Sequence, residues 1–367
     1  MPKTAISPEL AEALSRLRAS MPPEETDIAD RMEAISAQHV KTFRDTAFGS
    51  RFRKLKRSLV AHFTGDNKQH RMIIVTGESH SGKSDLIECC LDNDPGLAAY
   101  PTNDGYPAVP VLRMDAPSPC NMVNVAIEGL EALGYPVKGN IKEKEAWPLF
   151  RAQLKRHRVL ILFIDEAQHA VNSTSSRADL QRLRDIFKHV TQMKDWPVRL
   201  ILAGVHPLEK LREDKQIRTR SMPMHLGDIT AAHASHVRHW VVKIVKEHAE
   251  MRLDDFMAGD FPLRLIHGAG GCFGSIIQLI RMAIEDALVG GKDVVSLSNF
   301  ANAYATMTGC SKKENILTVP RWRSIEGALA RLARDADGPE EEEKVEESEM
   351  PASPRTKVMK AHRGGER

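Results

Sequence analysis

The sequence lacks any apolar stretch long enough to cross a membrane, since no run of 18 apolar residues occurs among its 367 residues. Its first residues contain no apolar core of a signal peptide, so secretion is not indicated. Only five cysteines occur, and none forms a C-x-x-C pair, which argues against a zinc site and against a disulfide framework. These absences together predict a cytoplasmic protein with reduced thiols.

Strong net charge is also missing, because the formal net charge is only +3. The charge is uneven: from Asp335 onward, ten acidic and six basic residues give a net of −4, which leaves +7 on the rest of the chain. That excess favours an anionic partner without establishing nucleic-acid binding. The segment 334–367 is charged and nearly free of apolar residues, so we predict a disordered tail.

The strongest motif present is a phosphate-binding loop. Residues 77–84 read GESHSGKS, which fits the spacing G-x-x-x-x-G-K-[ST]. The pattern arises by chance in roughly one chain of this length in a hundred. It follows the apolar run 72–75 and precedes an amphipathic stretch, 84–91, so it lies between a predicted strand and a predicted helix.

These residue types suit a nucleoside triphosphate with Mg²⁺. The two glycines let the backbone turn so that its N–H groups point at a phosphate, next to the start of a helix. Lys83 is predicted to bridge the β- and γ-phosphates, and the Ser84 hydroxyl to bind Mg²⁺. The predicted nucleotide-binding residues are Gly77, Glu78, Ser79, His80, Ser81, Gly82, Lys83, Ser84 and Asp85.

A pair of acids follows a second apolar run. Residues 159–164 read VLILFI, as in a strand buried on both faces, and Asp165 and Glu166 come directly after it. Open α/β sheets bind ligands at the carboxyl ends of their strands. We therefore predict that Asp165 holds the metal ion through water and that Glu166 orients the attacking water. The alternative is that the two acids only terminate a core strand.

The order of elements predicts the fold class. Runs at 72–75, 108–115, 159–164 and 198–204 read as strands that alternate with helices, which implies an α/β protein with a doubly wound parallel sheet. From about residue 228 the pattern becomes wholly helical and indicates a small lid domain. We expect four parts: a helical arm that could dock onto a partner, a P-loop domain, the lid and the tail, at 1–45, 46–227, 228–333 and 334–367.

A P-loop, an Asp-Glu strand, a further strand and a helical region in this order resemble AAA+ ATPases. Four shorter segments resemble the TniB and TnsC ATP-binding proteins of bacterial transposons over roughly residues 30–310. They are QHVKTF at 38–43, RMDAP at 113–117, IDEAQH at 164–169 and LAGV at 202–205.

The resemblance implies a function. It implies a bacterial, DNA-associated protein that binds ATP and Mg²⁺ and assembles on double-stranded DNA, without sequence preference, as a ring or helical filament. It also implies that the protein selects a target site, recruits a transposase and a further targeting protein, and disassembles when ATP is hydrolysed. By the same resemblance, an arginine finger would reach a neighbouring subunit's nucleotide. Arg220 is our first candidate and Arg218 our second, although either could be an ordinary surface arginine.

Two departures from AAA+ patterns predict slow hydrolysis. The fourth strand ends GVH at 204–206, without the polar Asn or Thr usual at that position, where His206 could substitute. The segment 270–275 opens a lid helix without the sensing arginine that many AAA+ proteins carry there, and Arg281 comes two turns later.

The remaining predictions concern partners. Lys138, Lys142 and Lys144 are candidates for DNA contact, although the alternative that each is an ordinary solvated lysine is favoured. The basic stretch 50–57 could bind phosphate or form a solvated helix face. The competing function is an AAA+ ATPase that acts on a protein partner, in secretion or signalling, without DNA. A GTPase is disfavoured because no N-K-x-D motif follows the P-loop.

Overall fold

The structure is a computed structural model. It describes residues 7–61, 70–117, 121–137, 141–172, 181, 184–185, 187–188, 190–191, 193 and 195–327. Lys138, the tail 334–367 and most of the helix predicted after the acid pair lie outside the described residues. In the part of the chain that is described, no helix is long and apolar enough to span a membrane.

A five-stranded parallel sheet forms the centre of the molecule. Its strands are β1 Met72–Gly77, β2 Val111–Asp115, β3 Ile161–Asp165, β4 Arg199–Gly204 and β5 Ser221–Leu226. The order across the sheet is β2-β3-β4-β1-β5. All four neighbouring pairs run parallel, so the predicted α/β class with a parallel sheet is confirmed.

The strand β5 was missed by our sequence analysis. It pairs along β1 with Met72 opposite Ser221 and Gly77 opposite Leu226. Buried Met222, Met224 and Leu226 alternate with exposed residues, which is the two-residue period of a strand with one buried face. Pro223 is compatible with this strand because β5 lies at the edge of the sheet.

Helices cover both faces of the sheet. They are α3 Phe43–Val60, α4 Lys83–Asp92, α5 Met122–Ala132, α6 Glu143–Arg156, α7 Gln168–Asn172 and α8 Lys215–Arg220. Successive residues of each strand point to opposite faces. Accordingly Ile73 packs with α3 and α4, whereas Ile74 packs with α5 and α6. The sheet therefore has two separate cores.

The basic stretch in α3 behaves mostly as a helix face beside an apolar stripe. Phe52 and Leu55 are buried, while Arg53, Lys54 and Arg57 are exposed. The other two cations of the stretch make contacts within the chain: Arg51 donates to a backbone carbonyl of β5, and Lys56 pairs with Asp94.

The lid follows the sheet and has its own core. Its helices are α9 Ala234–Lys243, which continues as the π-helical turn Ile244–His248, α10 Phe261–Gly268, α11 Phe273–Val289 and α12 Leu297–Thr308. The expectation of a wholly helical lid was wrong, because Arg252–Leu253 (β6) and Val294–Val295 (β7) form a short parallel pair. Isolated two-residue strands carry too little periodicity to be read from sequence.

The two N-terminal helices are anchored differently. α1 spans Pro8–Ser20 and has no buried residue, and α2 spans Pro23–Ser36. Ile35 of α2 is buried in the lid core, and Ile28 and Met32 pack against the same core. Arg18 of α1 pairs with Asp30 of α2. The N-terminal helix α2 therefore forms part of the lid core, although it precedes the first strand of the sheet in the sequence.

Candidate active site

The P-loop joins β1 to α4 in a backbone path that requires glycine at both ends. A Cβ on Gly77 would lie 2.9 Å from the carbonyl oxygen of Leu226 and from Ser81 Oγ, closer than real Cβ contacts. Gly82 caps α4 in the left-handed region, with φ 82°, and a Cβ there would lie 3.0 Å from the Phe273 ring. The loop thus takes the tight conformation in which backbone N–H groups can surround an anion.

Lys83 points back into this loop. Its side chain is 6% exposed, and Nζ donates to the carbonyl oxygens of Gly77 at 3.0 Å and Glu78 at 2.9 Å. Burial lowers the pKa of Lys83, and the nearby carboxylates of Glu166 and Asp165 oppose that shift. An ammonium group held at the centre of the loop can bridge phosphate oxygens when they bind there.

The acid pair at the end of β3 meets the P-loop. Ser84 Oγ donates to Asp165 Oδ2, which joins residues 81 apart in the sequence, and the Glu166 backbone N–H donates to Asp165 Oδ1 at 2.9 Å. Hydroxyl and carboxylate oxygens are the ligands that Mg²⁺ takes, so Ser84 and Asp165 fit this ion. Glu166 has φ 49°, a left-handed conformation that is uncommon for a non-glycine residue and often marks a functional position.

Arg44 is a site residue that our sequence analysis missed. It is 5% exposed, and its guanidinium donates to Ser81 O at 2.9 Å and to Gly227 O, and lies 5.2 Å from the Phe273 ring centroid. Burial lowers the pKa of Arg44. The available signal was its spacing, since Arg44 precedes buried Phe48 by one helical turn and so lies on the apolar stripe of α3.

The lid contacts the P-loop directly. The Gly274 N–H at the start of α11 donates to the His80 carbonyl at 2.8 Å. A Cβ on Gly274 would lie 2.2 Å from that same oxygen, so only glycine allows this approach. Cys272 Sγ lies 3.3 Å from the His80 carbonyl. At the start of α11, where many AAA+ proteins carry a sensing arginine, this chain therefore has a close backbone contact between the lid and the P-loop.

A cleft of about 850 Å³ opens between the P-loop, α4, the segment before α3, and α11. A mononucleotide fits a cleft of this size. The lining residues are Ser36, Ala37, Gln38, His39, Val40, Thr42, Arg44, Asp45, Ser79, His80, Ser81, Gly82, Lys83, Ser84, Asp85, Leu86, Glu88, Cys89, Asp92, Asn93, Glu166, Phe273, Gly274, Ile277, Gln278 and Arg281. Predicted residues 79–85 thus line the cleft, and the carbonyls of Gly77 and Glu78 hold Lys83 beneath it.

Arg281 and His206 take unexpected positions. Arg281 lines the cleft and donates to the Ser36 carbonyl at 3.1 Å, and its buried Nε has no partner among the described residues. Burial lowers its pKa, and Asp85 opposes that shift. The lid therefore does supply an arginine, away from the start of α11. His206 is 75% exposed and pairs with Glu209, so it does not substitute for a polar group in the cleft.

The predicted finger residues and the two described DNA candidates, Lys142 and Lys144, do not line the cleft. Arg218 and Arg220 are in the last turn of α8, which leads into the amino end of β5, whereas the P-loop follows the carboxyl end of the neighbouring strand β1. Arg218 is exposed, whereas Nη1 of Arg220 is buried and has no partner in the part of the chain that the structure describes. Lys142 and Lys144 are exposed at the start of α6.

The fold and the site define a parallel α/β protein with a phosphate-binding loop between β1 and α4. The family model described as "Bacterial TniB protein" matches residues 43–230. The chain therefore belongs to the TniB family. No curated protein matches the sequence.

Solved structures share the fold at low identity. The Orc1 protein of Aeropyrum pernix, in complex with DNA, matches with a TM-score of 0.51 and 17% identity over 74% of this chain and 67% of that chain. Cdc6p of Pyrobaculum aerophilum matches with a TM-score of 0.52 and 11% identity over 78% of this chain and 74% of that chain. Identities this low establish the common fold alone.

Proposed function

We propose that this chain is an ATP-dependent regulator of transposition that assembles on double-stranded DNA and recruits a transposase. The observation that carries the proposal is that Lys83, Ser84 and Glu166 line one cleft of about 850 Å³, with Asp165 bonded to Ser84. Membership of the TniB family supports the link to transposons. The Orc1 structure supports the compatibility of this fold with DNA.

ATP would lie with its phosphates in the P-loop and its base between the lid and the segment before α3. Val40, Leu86 and Ile277 are apolar residues that line the cleft and can pack against a base. The N–H groups of the P-loop and the start of α4 offer favourable contacts to phosphate oxygens.

Hydrolysis would use the residues already in contact. Lys83 would exchange its bonds to the loop carbonyls for bonds to the β- and γ-phosphates. Ser84 and Asp165 would hold Mg²⁺, which neutralises phosphate charge when bound. Glu166 would orient the water that attacks the γ-phosphate and accept its proton. We propose slow hydrolysis, which ends the assembled state.

Self-assembly would place α8 of one subunit against the cleft of the next. The last turn of α8 lies at the amino end of β5, whereas the P-loop follows the carboxyl end of the neighbouring parallel strand β1. The length of the strands therefore separates these arginines from their own P-loop, and we propose that they act on another subunit's nucleotide. The exposed guanidinium of Arg218 can reach outward, whereas part of Arg220 is enclosed. We therefore place Arg218 ahead of Arg220 as the arginine finger.

We propose that α1 meets the transposase or a further targeting protein. Leu10, Leu14 and Leu17 form an apolar stripe on α1 and are 51%, 47% and 61% exposed. We retain the parts 1–45, 46–227, 228–333 and 334–367 as the proposed arm, P-loop domain, lid and tail. The proposed location is the bacterial cytoplasm, on DNA.

We retain Lys142 and Lys144 as proposed DNA contacts, although their field is weakened by the alternating Glu143 and Glu145. Lys138 stays a sequence-based prediction. Contacts of this kind reach phosphates, so they would give affinity with little sequence preference.

The test is fluorescence anisotropy of labelled double-stranded DNA with ADP or with a slowly hydrolysed ATP analogue, across a salt series. We expect tight binding only with the analogue, weakening with salt by a log–log slope of about −0.9 for each phosphate contacted. Lys83→Ala should abolish nucleotide and DNA binding, and Glu166→Gln should trap a long-lived oligomer on DNA. Lys292→Ala, at an exposed lid lysine outside the cleft, is the control.

Two outcomes would contradict the proposal. ATP-dependent DNA binding by Lys83→Ala would overturn the P-loop assignment. An active wild-type ATPase that binds no DNA in either nucleotide state would favour a partner that is a protein.

A further inference from the structure

Gln168, the first residue of α7, lies between the carboxyl ends of β3 and β4. Its side chain is 5% exposed. A Cβ on Gly204 would lie 2.2 Å from Gln168 Oε1, so the glycine at the end of β4 leaves the room that this side chain fills. The position is built around the amide group.

The orientation of this amide is fixed by its partners. The backbone N–H of Val205 lies 3.1 Å from Gln168 Oε1, and because an N–H can only donate, the amide oxygen must face it. The amide nitrogen then faces Oε2 of Glu166 and donates to it. The Glu166 carboxylate, which would activate water, thus accepts a hydrogen bond from the Gln168 amide. The backbone N–H of Val205, at the end of β4, fixes that amide in turn.

We infer that Gln168 is the positioning residue that orients Glu166 for water activation and couples it to the end of β4. This inference rests on the proposed ATPase function. The described end of β4 sends no polar side chain into the cleft, since Gly204 and Val205 are apolar and His206 is turned towards Glu209. Gln168, which follows β3, supplies the polar side chain that the end of β4 lacks.

The test compares Gln168→Glu with Gln168→Met. Gln168→Glu keeps the shape and can still accept from Val205, but it cannot donate to Glu166 as a carboxylate. Gln168→Met keeps a similar volume and removes both bonds. We expect kcat to fall about tenfold or more in each, because a hydrogen bond to a charged group is lost, while the affinity for an ATP analogue changes less than about threefold.

A double-mutant cycle separates positioning from a general structural effect. If Gln168 acts through Glu166, then adding Gln168→Glu should not lower the small residual hydrolysis rate of Glu166→Gln any further. That double variant restores an amide–carboxylate pair with its members exchanged, so it should also unfold near the wild-type temperature.

The outcomes separate this inference from the proposed function. Normal hydrolysis by Glu166→Gln, or no hydrolysis by the wild type, would overturn the function itself. With a working wild type and an inactive Glu166→Gln, an unchanged kcat in Gln168→Glu would overturn only the role of Gln168. The role of Gln168 would likewise be overturned if Gln168→Glu lowered kcat together with the melting temperature and also bound the ATP analogue more weakly.

Discussion

Replacing Gly274 by alanine tests whether the contact between lid and P-loop controls nucleotide binding. The added Cβ would lie 2.2 Å from the His80 carbonyl oxygen, whereas real contacts stay beyond 3.0 Å, so α11 or the loop must move by about 0.8 Å. His80 O is a backbone atom and cannot rotate aside as a side chain could.

The free-energy terms indicate that Gly274→Ala weakens the contact between the lid and the P-loop. The movement costs the hydrogen bond from Gly274 N to His80 O, worth about 1 kcal/mol, and overpacking adds about 1–3 kcal/mol. Alanine returns at most about 1 kcal/mol as the better helix former. A net loss of about 1–3 kcal/mol in lid docking lowers the affinity for ATP about 5- to 150-fold, since each 1.4 kcal/mol is a factor of ten.

The assay is titration of a fluorescent ATP analogue, with thermal unfolding measured in parallel. Gly290→Ala is the matched control: Gly290 follows the other end of α11, and a Cβ there meets nothing closer than 3.4 Å. We expect the control to bind as the wild type does. Unchanged affinity in Gly274→Ala, or an equal loss in Gly290→Ala, would refute the reasoning.

Two further predictions concern Asp45 and the finger. Although burial raises the pKa of Asp45, hydrogen bonds from His39 and Thr42 outweigh it and the net pKa is lowered. The ionised carboxylate therefore stabilises the fold above about pH 4, and this contribution disappears as pH falls through the lowered pKa. Asp45→Asn should cost about 1 kcal/mol in urea unfolding at pH 7 and converge with the wild type in acid; a constant difference would contradict this. Arg218→Ala should slow hydrolysis in the assembled state about a thousandfold with nucleotide binding intact, whereas Arg220→Ala should not; the reverse result would restore Arg220 as the finger.

The P-loop and the acid pair could be predicted because each lies in one short segment. Parallel strands end at the same edge of a sheet, so Gly77 and Asp165 had to approach each other once both strands were recognised. The same rule could not reveal β5, because Pro223 argues against a strand and the place of this segment depended on pairing with β1.

The supporting residues could not be predicted because they depend on contacts between distant segments. Arg44 meets Ser81 across 37 positions, and Gln168 meets Val205 across the same separation. Gly274 has no recognisable motif of its own, yet it lies against His80. An isolated sequence shows the spacing of a motif but not which other segments press against it.

The placement of α2 has a consequence for how this protein can be shortened. The family match covers residues 43–230 and so contains the P-loop and both acids. Yet Val40 and Ile277, from segments on either side of that match, line the same cleft, and Ile35 belongs to the core of the lid. A fragment cut at the limits of the family would keep the P-loop and the acid pair and lose two walls of the cleft. The smallest fragment that keeps the whole cleft runs from the start of α2 into the lid, and so extends beyond the family match at both ends.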